Sequence, residues 1–468
     1  MDGVQDREGN LTNRVRLASR MAIRSLNAGA MFSLILVNYL FWLAARKVLG
    51  KERTRRIEGA THSRGARILH RGILRLEGVY IKVGQFISMM TGFLPDAYLD
   101  ELEGMQDSVP PRPYGSIRAR VESELGLNPF TDFAPEPVAS ASLGQVHFAT
   151  VEGTQVAVKV QYPGIERVVA TDLAMIRIVV HVISWFLRGM HYERVYDDLS
   201  ETIRSELDYL SEGANAEAIA ANFVGDNHVE FPTIIWKYTT SKVLTMERET
   251  GLKITDVAAI REAEIEPVDV IEKLVQSYFK QLLIDSLYHA DPHPGNFFVK
   301  KAPDGKPLIV FLDFGSVVRF PPEFREGMRT VVYGYMSRDD SKVIDGMRQM
   351  GFASAGGDEA VFEQAVRHYM DKLLHFAPAD FSRIDISDFD LVKNMDEMQV
   401  SFRELTRAFE VPRNWFYVER TLALLLGLCA RLDPTVDAFV YGFPYAVQFV
   451  FGGDAHLASI WGQQGVRE

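Results

Sequence analysis

Cysteine is nearly absent from this chain of 468 residues. The single one, Cys429, lies in the apolar stretch TLALLLGLCARL. One cysteine cannot form an intramolecular disulfide or a thiolate zinc cluster, and this usage is typical of a reducing compartment. Cys429 is therefore predicted to be a buried thiol that packs like a small apolar side chain.

An excess of positive charge is also missing. The chain has 51 lysines and arginines against 62 aspartates and glutamates, for a net charge of -11. A general nucleic-acid binder needs a basic footprint, so we expect no nucleic-acid partner. With 47% hydrophobic and 24% charged residues, the composition is that of a folded globular chain long enough for two or three domains.

A long apolar run occurs near the N-terminus, where residues 28–45 read AGAMFSLILVNYLFWLAA. Its 18 residues are at the short end for a helix that spans a membrane, which favours a helix packed on the protein or lying in a membrane interface. Arginines flank both sides, so they predict no orientation. Acidic residues in the first eight positions argue against a cleaved transit peptide.

The pattern changes along the chain indicate an α+β fold in four segments. Residues 1–60 are basic and apolar. Residues 61–130 are helical, with one stretch predicted over 64–90, a loop at Pro95 and a second helix over DAYLDELEGMQDSV at 96–109. Residues 131–250 are β-rich with a β-hairpin predicted around EGT at 152–154, and their helical insert runs from Gly164 to about Phe223. Residues 251–468 are mainly helical.

Chemistry is concentrated in the stretch HADPHPGNFFV at 289–299 and in LIVFLDFGS at 308–316. Asp291 and Asn296 have the spacing of a kinase catalytic loop, in which the aspartate lies near the attacking group and the asparagine binds a metal. Asp313 opens an Asp-Phe-Gly element after an apolar strand, which is the magnesium-binding element of kinases. Lys159, in TQVAVKVQ, matches the strand lysine that meets the phosphates. The order of these four residues predicts a kinase-like phosphotransferase that uses ATP and Mg²⁺.

A zinc site is the alternative for His289 and His293. Zinc sites use three or four ligands, and the tract has no further histidine or cysteine, so this alternative is disfavoured. His289 is expected to hold the loop, and His293 with the two prolines is expected to stiffen the turn.

The glycine-rich loop of protein kinases is missing. Ahead of Lys159 the chain reads ASASLGQVH, in which Gly144 is the one glycine. Alanine and serine take positive φ far less readily than glycine, so this loop should grip phosphates differently. The nucleotide contacts of this small-residue loop are predicted at Ala139, Ser140, Ala141, Ser142, Gly144 and Gln145.

Further blocks resemble the ABC1/UbiB/ADCK family of atypical kinases, over roughly residues 64–435. KVGQ at 82–85 is similar to the family's Lys-x-Gly-Gln signature, and ELD at 206–208 to its Glu-x-Asp element. The loop ASASLGQVH resembles the family's alanine-rich loop, with Ser140 in place of one alanine. PDAYLDELEGMQDSVPP, VAVKVQYPGI, HADPHPGN, LDFG and RTLALLLGLCARLDP also read like family blocks.

The resemblance implies a protein-kinase-like bilobal fold with a helical Lys-x-Gly-Gln extension over the active site. The Glu-x-Asp element would hold that extension, so Lys82 is expected near Glu206 and Asp208, where it would obstruct the cleft in which a protein kinase receives a peptide. The regulatory residues implied are Lys82, Gly84, Gln85, Glu206 and Asp208.

The resemblance also implies the roles of the nucleotide site. Lys159 would pair with a helix glutamate, by position Glu212, and MER at 246–248, with Glu247 and Arg248, would be the hinge that meets adenine. Asn296 and Asp313 would hold magnesium, and Asp291 would be the catalytic-loop carboxylate.

The function implied is an ATP-binding, magnesium-dependent atypical kinase or ATPase that supports isoprenoid-quinone (ubiquinone) biosynthesis or lipid handling. The expected partners are ATP or ADP, a membrane lipid or quinone precursor, and quinone-biosynthesis proteins. The protein is expected at a membrane, facing the cytoplasm (or the mitochondrial matrix if eukaryotic), with peripheral attachment favoured over a span. Three alternatives stay open: an ordinary protein kinase, a small-molecule phosphotransferase, and a pseudokinase scaffold for a biosynthetic complex.

Overall fold

A computed structural model describes residues 2–88, 96–102, 109–126, 128–186, 192–354, 356–374, 404 and 407–452. The predicted loop at Pro95 and residues 103–108 of the predicted helix after it lie outside this part. The chain divides into two compact units, the first made of Met1–Tyr209 and Trp236–Thr245, the second of Leu210–Ile235 and Met246–Glu468. Residues 210–235 thus belong to the second unit, whereas the sequence pattern groups them with the β-rich segment.

The first unit begins with a helical region. Its helices are α1 (Asp2–Leu49), α2 (Lys51–Leu76), α3 (Val79–Ser88), α4 (Asp96–Leu102) and α5 (Tyr114–Leu125). An antiparallel hairpin is formed by α1 and α2, which turns at Gly50 with a φ of 81°. Met31 packs directly over Gly72, where a side chain would collide with its sulfur, and Asn38 Nδ2 donates to the Thr61 carbonyl at 2.9 Å. The polar side chain inside the apolar run therefore faces α2.

The helical stretch predicted from residue 64 to 90 is broken between α2 and α3. Glu77 and Gly78 have φ values of 52° and 60°, in the left-handed region that a right-handed helix cannot continue through. The guanidinium of Arg24, on α1, donates to the carbonyl oxygens of Leu76 and Glu77. This arginine supplies partners to carbonyls that the end of a helix leaves unpaired.

Arg24 also reaches a third helix, α6 (Ile165–Phe186). Its Nε and Nη2 donate to the two carboxylate oxygens of Asp172 at 2.8 and 2.7 Å, and its guanidinium lies 5.5 Å from the ring centroid of Tyr80 on α3. Asp172 is only 1% exposed. We call Arg24, Asp172 and the two carbonyl groups the Arg24 junction, because it joins α1, the α2–α3 break and α6.

The sheet of the first unit has the order β1-β2-β3-β5. Its strands are β1 (Ala139–Ser140), β2 (Gly144–Val151), β3 (Thr154–Gln161) and β5 (Val243–Glu247), the last of which continues into the second unit. The predicted hairpin is confirmed, since β2 and β3 pair antiparallel and Val151 faces Thr154 across the turn. Val156, Val158 and Val160 are fully buried on one face of β3, as its period-two pattern requires.

The helical stretch predicted after Gly164 consists of separate helices. They are α6, α7 (Tyr192–Ser205) and α8 (Tyr209–Ala221). Nearly all of α8 belongs to the second unit, which therefore begins inside a helix.

The second unit combines short strands with many helices. The strands are β4 (Val229–Glu230), β6 (Leu252–Lys253), β7 (Leu287–His289), β8 (Phe297–Lys301), β9 (Pro307–Phe311) and β10 (Val317–Arg319). The helices are α9 (Val257–Glu262), α10 (Pro267–Phe279), α11 (Pro322–Ser337), α12 (Asp340–Met350), α13 (Glu359–Leu374), α14 (Arg413–Leu432) and α15 (Phe439–Phe451). One sheet has the order β4-β9-β8-β6, and β7 pairs with β10. Cys429, on α14, is buried, which confirms the prediction, and burial raises the pKa of its thiol to about 12.

Candidate active site

The predicted catalytic loop, residues 290–296, lies between β7 and β8 of the second unit. β7 ends at His289, which is paired with Val317 of β10, and the Ala290 amide donates to the Ser316 carbonyl at 2.7 Å. The chain then turns through a 3₁₀ segment, Pro294–Asn296, into β8. His293 caps this turn, because its Nδ1 accepts from the Gly295 amide at 3.2 Å. Asp291 and Asn296 are thus fixed by the ends of two strands.

His289 is fully buried and joins the catalytic loop to the Asp-Phe-Gly element. Its Nε2 lies 2.7 Å from the Asp313 carbonyl, and its Nδ1 lies 2.8 Å from the Tyr278 hydroxyl. A carbonyl oxygen can only accept, so Nε2 carries the proton and Nδ1 accepts from the tyrosine. Both ring nitrogens are engaged, so His289 holds the loop as predicted and offers no lone pair to a zinc ion.

Burial lowers the pKa of His289 in the folded protein. Below the ordinary histidine pKa of about 6.5, the His289 side chain binds a proton more readily in the unfolded chain than in the folded chain. The free energy of unfolding therefore falls as the pH falls. We expect the free energy of unfolding of the wild type to drop more steeply below about pH 6.5 than that of His289→Gln, by up to about 1.4 kcal/mol per pH unit. Chemical denaturation between pH 8 and 5.5 measures both slopes. Equal slopes would contradict the prediction.

Asp291 is held at both of its carboxylate oxygens. Arg420 Nη2, from α14, lies 2.9 Å from Oδ1, and Asn296 Nδ2 lies 3.2 Å from Oδ2. The buried hydroxyl of the neighbouring Thr421 lies 2.7 Å from the Tyr417 carbonyl of its own helix and 3.3 Å from the Ala290 carbonyl. The middle of α14 therefore packs against the loop that carries Asp291. The sequence did not predict this role for Arg420. The one signal for it is that Arg420 is a charged residue at the start of the apolar stretch RTLALLLGLCARL.

Arg420 positions Asp291, so its replacement should slow turnover. Arg420→Met is expected to lower kcat by about 10- to 100-fold, since misplacing a reacting group by about 1 Å has that effect. The loss of a cation beside the carboxylate should also move the acid limb of the pH–rate profile to higher pH. Arg431→Met changes an exposed arginine of the same helix and should leave both unchanged. A lowered kcat with an unmoved acid limb would mean that Arg420 has only a structural role.

The Asp-Phe-Gly element is stabilised from several sides within the second unit. Asp313 Oδ1 accepts from the Gly315 amide at 3.0 Å, and Asn215 Nδ2 lies 3.4 Å from the Phe314 carbonyl. A side chain on Gly315 would come within 3.3 Å of Asp313 Oδ1 and 3.8 Å of Glu212 Oε2. Glu212 is 4% exposed. The structure therefore brings the carboxylates of Glu212 and Asp313 to the same glycine.

The donor set of this site fits magnesium. The Asn296 amide nitrogen is used on Asp291, where it also donates to the backbone carbonyl at 3.0 Å, and this orients the amide oxygen away from Asp291. That oxygen and the Asp313 carboxylate are the hard ligands that Mg²⁺ prefers. No group of three or more His, Cys, Asp or Glu side chains forms a metal cluster within the described residues. A site with few protein ligands suits Mg²⁺, which is commonly bound by one or two carboxylates together with substrate phosphates.

The small-residue loop and Lys159 lie in the first unit. Lys159 Nζ is 5.3 Å from the ring centroid of Tyr209, and a side chain on Gly144 would come within 2.6 Å of both the Tyr209 hydroxyl and the Val160 carbonyl. Glycine is therefore required at residue 144 by close packing rather than by a left-handed φ. The Tyr209 side chain therefore packs against Gly144 with its hydroxyl and against Lys159 with its ring.

The loop itself is tightly turned. Ala139 and Ser140 form β1, and the Ala141 amide donates to the Gly144 carbonyl at 2.8 Å. The hydroxyl of Ser142 is buried without a hydrogen-bond partner among the described residues. The side chain of Gln145 points inward, where its Oε1 accepts from the Arg112 amide at 2.8 Å. Any nucleotide contact of Gln145 must therefore come from its backbone.

The Lys-x-Gly-Gln helix contacts the Glu-x-Asp element within the first unit. Lys82 Nζ lies 3.2 Å from Glu206 Oε1, and both side chains are about one-fifth exposed. Gly84 is buried in α3, Gln85 is half-buried, and the Asp208 amide donates to the Ser205 carbonyl at 3.1 Å. The structure thus brings Lys82 to Glu206, one of its two predicted partners.

The predicted hinge lies where the chain passes from the first unit to the second, between Thr245 and Met246. Met246 pairs with Ile234, and the Glu247 amide donates to the Thr233 carbonyl at 2.9 Å. Arg248 follows the end of β5. The predicted Lys159–Glu212 pair and the predicted position of the Lys-x-Gly-Gln helix over the active site would join residues of both units, and they stay predictions.

Comparison with known proteins adds a family and a fold. Residues 104–347 match the family model described as the ABC1 atypical kinase-like domain. The chain is 32% identical over 416 residues to Protein ACTIVITY OF BC1 COMPLEX KINASE 8, chloroplastic, of Arabidopsis thaliana, a match covering 82% of this chain and 54% of that protein. It is also 32% identical to the probable protein kinase UbiB of Marinobacter nauticus, over 82% of this chain and 69% of the relative.

A solved structure shares the fold. The complex of Rv3197 with erythromycin from Mycobacterium tuberculosis covers 81% of this chain and 95% of its own, with a TM-score of 0.51 and 25% identity. The chain spans about half the length of the Arabidopsis relative.

Proposed function

Because the chain belongs to the ABC1 atypical kinase-like family, we propose that it is an ATP-binding, magnesium-dependent atypical kinase or ATPase of the UbiB type. The proposed role is support of isoprenoid-quinone (ubiquinone) biosynthesis or lipid handling at a membrane. The observation that carries the proposal is that the buried His289 bonds the backbone carbonyl of Asp313, while Asn296 bonds the carboxylate of Asp291 in the loop that follows His289. These contacts tie the Asp-Phe-Gly element to the loop that carries Asp291 and Asn296.

Each polar group has one task in the proposed reaction. Asp291, fixed by Arg420 and Asn296, directs its carboxylate at the oxygen that attacks the γ-phosphate. Asn296 and Asp313 would hold Mg²⁺, which would neutralise charge on the phosphates. Lys159 meets the phosphates from β3. Catalysis of this kind depends mainly on positioning and charge stabilisation, which is why the hydrogen bonds behind the loop matter.

ATP hydrolysis by the full chain tests this proposal. Phosphate release should require Mg²⁺, stop with EDTA, and rise several-fold when vesicles carry a polyprenylated phenol, the chemical class of a quinone precursor. Vesicles of the same lipids with a saturated hydrocarbon alcohol are the control. Activity without magnesium would argue against the kinase-type site. Magnesium-dependent activity that ignores the phenol would remove the quinone part of the proposal and keep the nucleotide part.

The membrane part of the proposal is supported by α1. Residues Met21–Leu49 are long and apolar enough to cross a bilayer, with a mean hydropathy of 1.8, and only 17% of the apolar window is buried. However, α1 is paired over its C-terminal half with α2, whose Arg64, Arg67, Arg71 and Arg75 are exposed. A span would carry these arginines into hydrocarbon at about 2.5–3.5 kcal/mol each near the centre. In this proposal α1 therefore lies in the membrane interface.

A further inference from the structure

An exposed apolar stripe runs along α6. Ile178, Val182 and Trp185 have exposed fractions of 57%, 37% and 76%. They continue a helical face that begins with Thr171 and Met175, because the steps of three and four residues return to the same side of a helix. Three exposed large apolar side chains in one row form a patch, whereas apolar residues scattered singly over a surface need no explanation.

The beginning of this stripe contacts α1. Thr171 Oγ1 lies 3.8 Å from Met21 Sδ, and a side chain on Gly29 would come within 3.7 Å of Met175 Cε. Since Ile178, Val182 and Trp185 share the face of these two residues, they lie on the edge of α6 that neighbours α1. Beyond Met175 the edge is exposed rather than covered by α1.

The outward face of α1 is exposed and apolar as well. Leu26, Leu34, Val37 and Phe41 are each more than half exposed. Val37 and Phe41 each lie about 100° around α1 from the side that meets α2, because each precedes by one residue a side chain on that side, Asn38 or the buried Trp42. The two apolar stripes, one on α1 and one on α6, belong to the same unit, and both are exposed.

The charge around this surface identifies its partner. Residues 1–76 contain 15 lysines and arginines against five aspartates and glutamates, although the whole chain has a net charge of -11. Such a segregated basic region is attracted to anionic lipid, and it would repel the same region of a second copy. A tryptophan at the end of the α6 stripe also suits the level of lipid headgroups.

We propose that the exposed edge of α6, formed by Ile178, Val182 and Trp185, is a second membrane-contacting element that lies with α1 on an anionic bilayer. This inference rests on the proposed membrane role of α1 and extends it. Two helices in contact with the surface fix the rotation of the first unit about α1, which one helix alone would leave open. The first unit therefore lies flat on the lipid in one orientation.

Vesicle flotation of the full chain tests the inference, with phosphatidylglycerol and phosphatidylcholine in the vesicles. Ile178→Glu with Trp185→Glu should lower the lipid partition coefficient at least about tenfold, since the variant loses the burial of two large apolar side chains in lipid. Ala170→Glu with Arg177→Gln makes the same change of two charges on the other exposed edge of α6 and should change binding much less. An equal loss of lipid binding in the two variants would show that the added negative charge alone weakens binding, and it would overturn the proposal.

A variant of α1 separates this inference from the membrane proposal beneath it. If Val37→Glu with Phe41→Glu floats like the wild type, the membrane role of α1 fails. If that variant is lost from the vesicles while the α6 variant floats like the wild type, only the α6 inference is overturned.

A further measurement needs no charged substitution. Brominated lipids should quench the emission of the wild type more than that of Trp185→Phe, and equal quenching would contradict the proposal. Sedimentation without lipid tests whether a second copy of the chain covers this face instead. If the wild type is a dimer and the α6 variant is a monomer, the face is a protein interface and the lipid assignment is overturned.

Discussion

Replacing Asp313 by alanine is expected to abolish magnesium-dependent nucleotide binding and turnover. In the proposed site the Asp313 carboxylate is the anionic ligand of Mg²⁺, and the ion would offset the charge of the phosphates. Loss of that ligand should remove several kcal/mol of stabilisation, which is a decrease of at least about 10³-fold in turnover. Nucleotide-induced thermal shift with and without Mg²⁺, together with phosphate release, measures both effects.

The matched control for this substitution is Asp304→Ala, which removes a half-exposed aspartate from the turn between β8 and β9 of the same unit. It should leave nucleotide binding as in the wild type. Because the Asp313 carboxylate also accepts from the Gly315 amide, the folded state of Asp313→Ala must be checked by its melting temperature without nucleotide. A well-folded Asp313→Ala protein that binds Mg·ATP with unchanged affinity would contradict the kinase-type assignment.

Replacing Arg24 by methionine is expected to destabilise the first unit by about 3–5 kcal/mol, the usual result of leaving one partner of a buried ion pair alone. Burial raises the pKa of Asp172 even with Arg24 beside it, so the carboxylate has little other stabilisation of its charge. The substitution also removes donors from the carbonyl oxygens of Leu76 and Glu77. Urea unfolding followed by far-UV circular dichroism measures the change.

A double variant tests the reason for this loss. Adding Asp172→Asn to Arg24→Met removes the unpaired charge and should restore part of the stability, whereas Arg67→Met, at an exposed site of α2, should have little effect. If the double variant is no more stable than Arg24→Met, the ion pair is not the source. The same contacts mean that a deletion of residues 1–53 removes a structural partner of α6 together with the apolar helix.

Local patterns predicted what local contacts determine. The hairpin at 152–154 follows from alternating side chains on both sides of a turn, and the fold class follows from the order of helical and β-rich segments. The catalytic loop and the Asp-Phe-Gly element were recognisable because each fits within a few residues. The family is shown by the match over residues 104–347.

Contacts between distant residues could not be predicted in this way. Arg420 is 129 residues from Asp291, and Arg24 is 148 residues from Asp172. Neither pair leaves a periodic trace, because an ion pair between helices depends on how those helices pack. The inward side chain of Gln145 was missed for the same reason, since its partner on Arg112 lies 33 positions earlier in the chain.

The chain passes between its two units three times, and this order has a consequence during synthesis on the ribosome. Residues 210–235 emerge before Trp236–Thr245, the last piece of the first unit, yet their strand β4 pairs with β9, which contains Ile309 and Val310. The helical hairpin of α1 and α2 can form early because its contacts are short in sequence, whereas β4 must wait for nearly 80 more residues of translation. During that interval the incomplete second unit of the nascent chain needs protection from aggregation. A fragment of the protein that ends between residues 245 and 307 will lack β9, the strand with which β4 pairs.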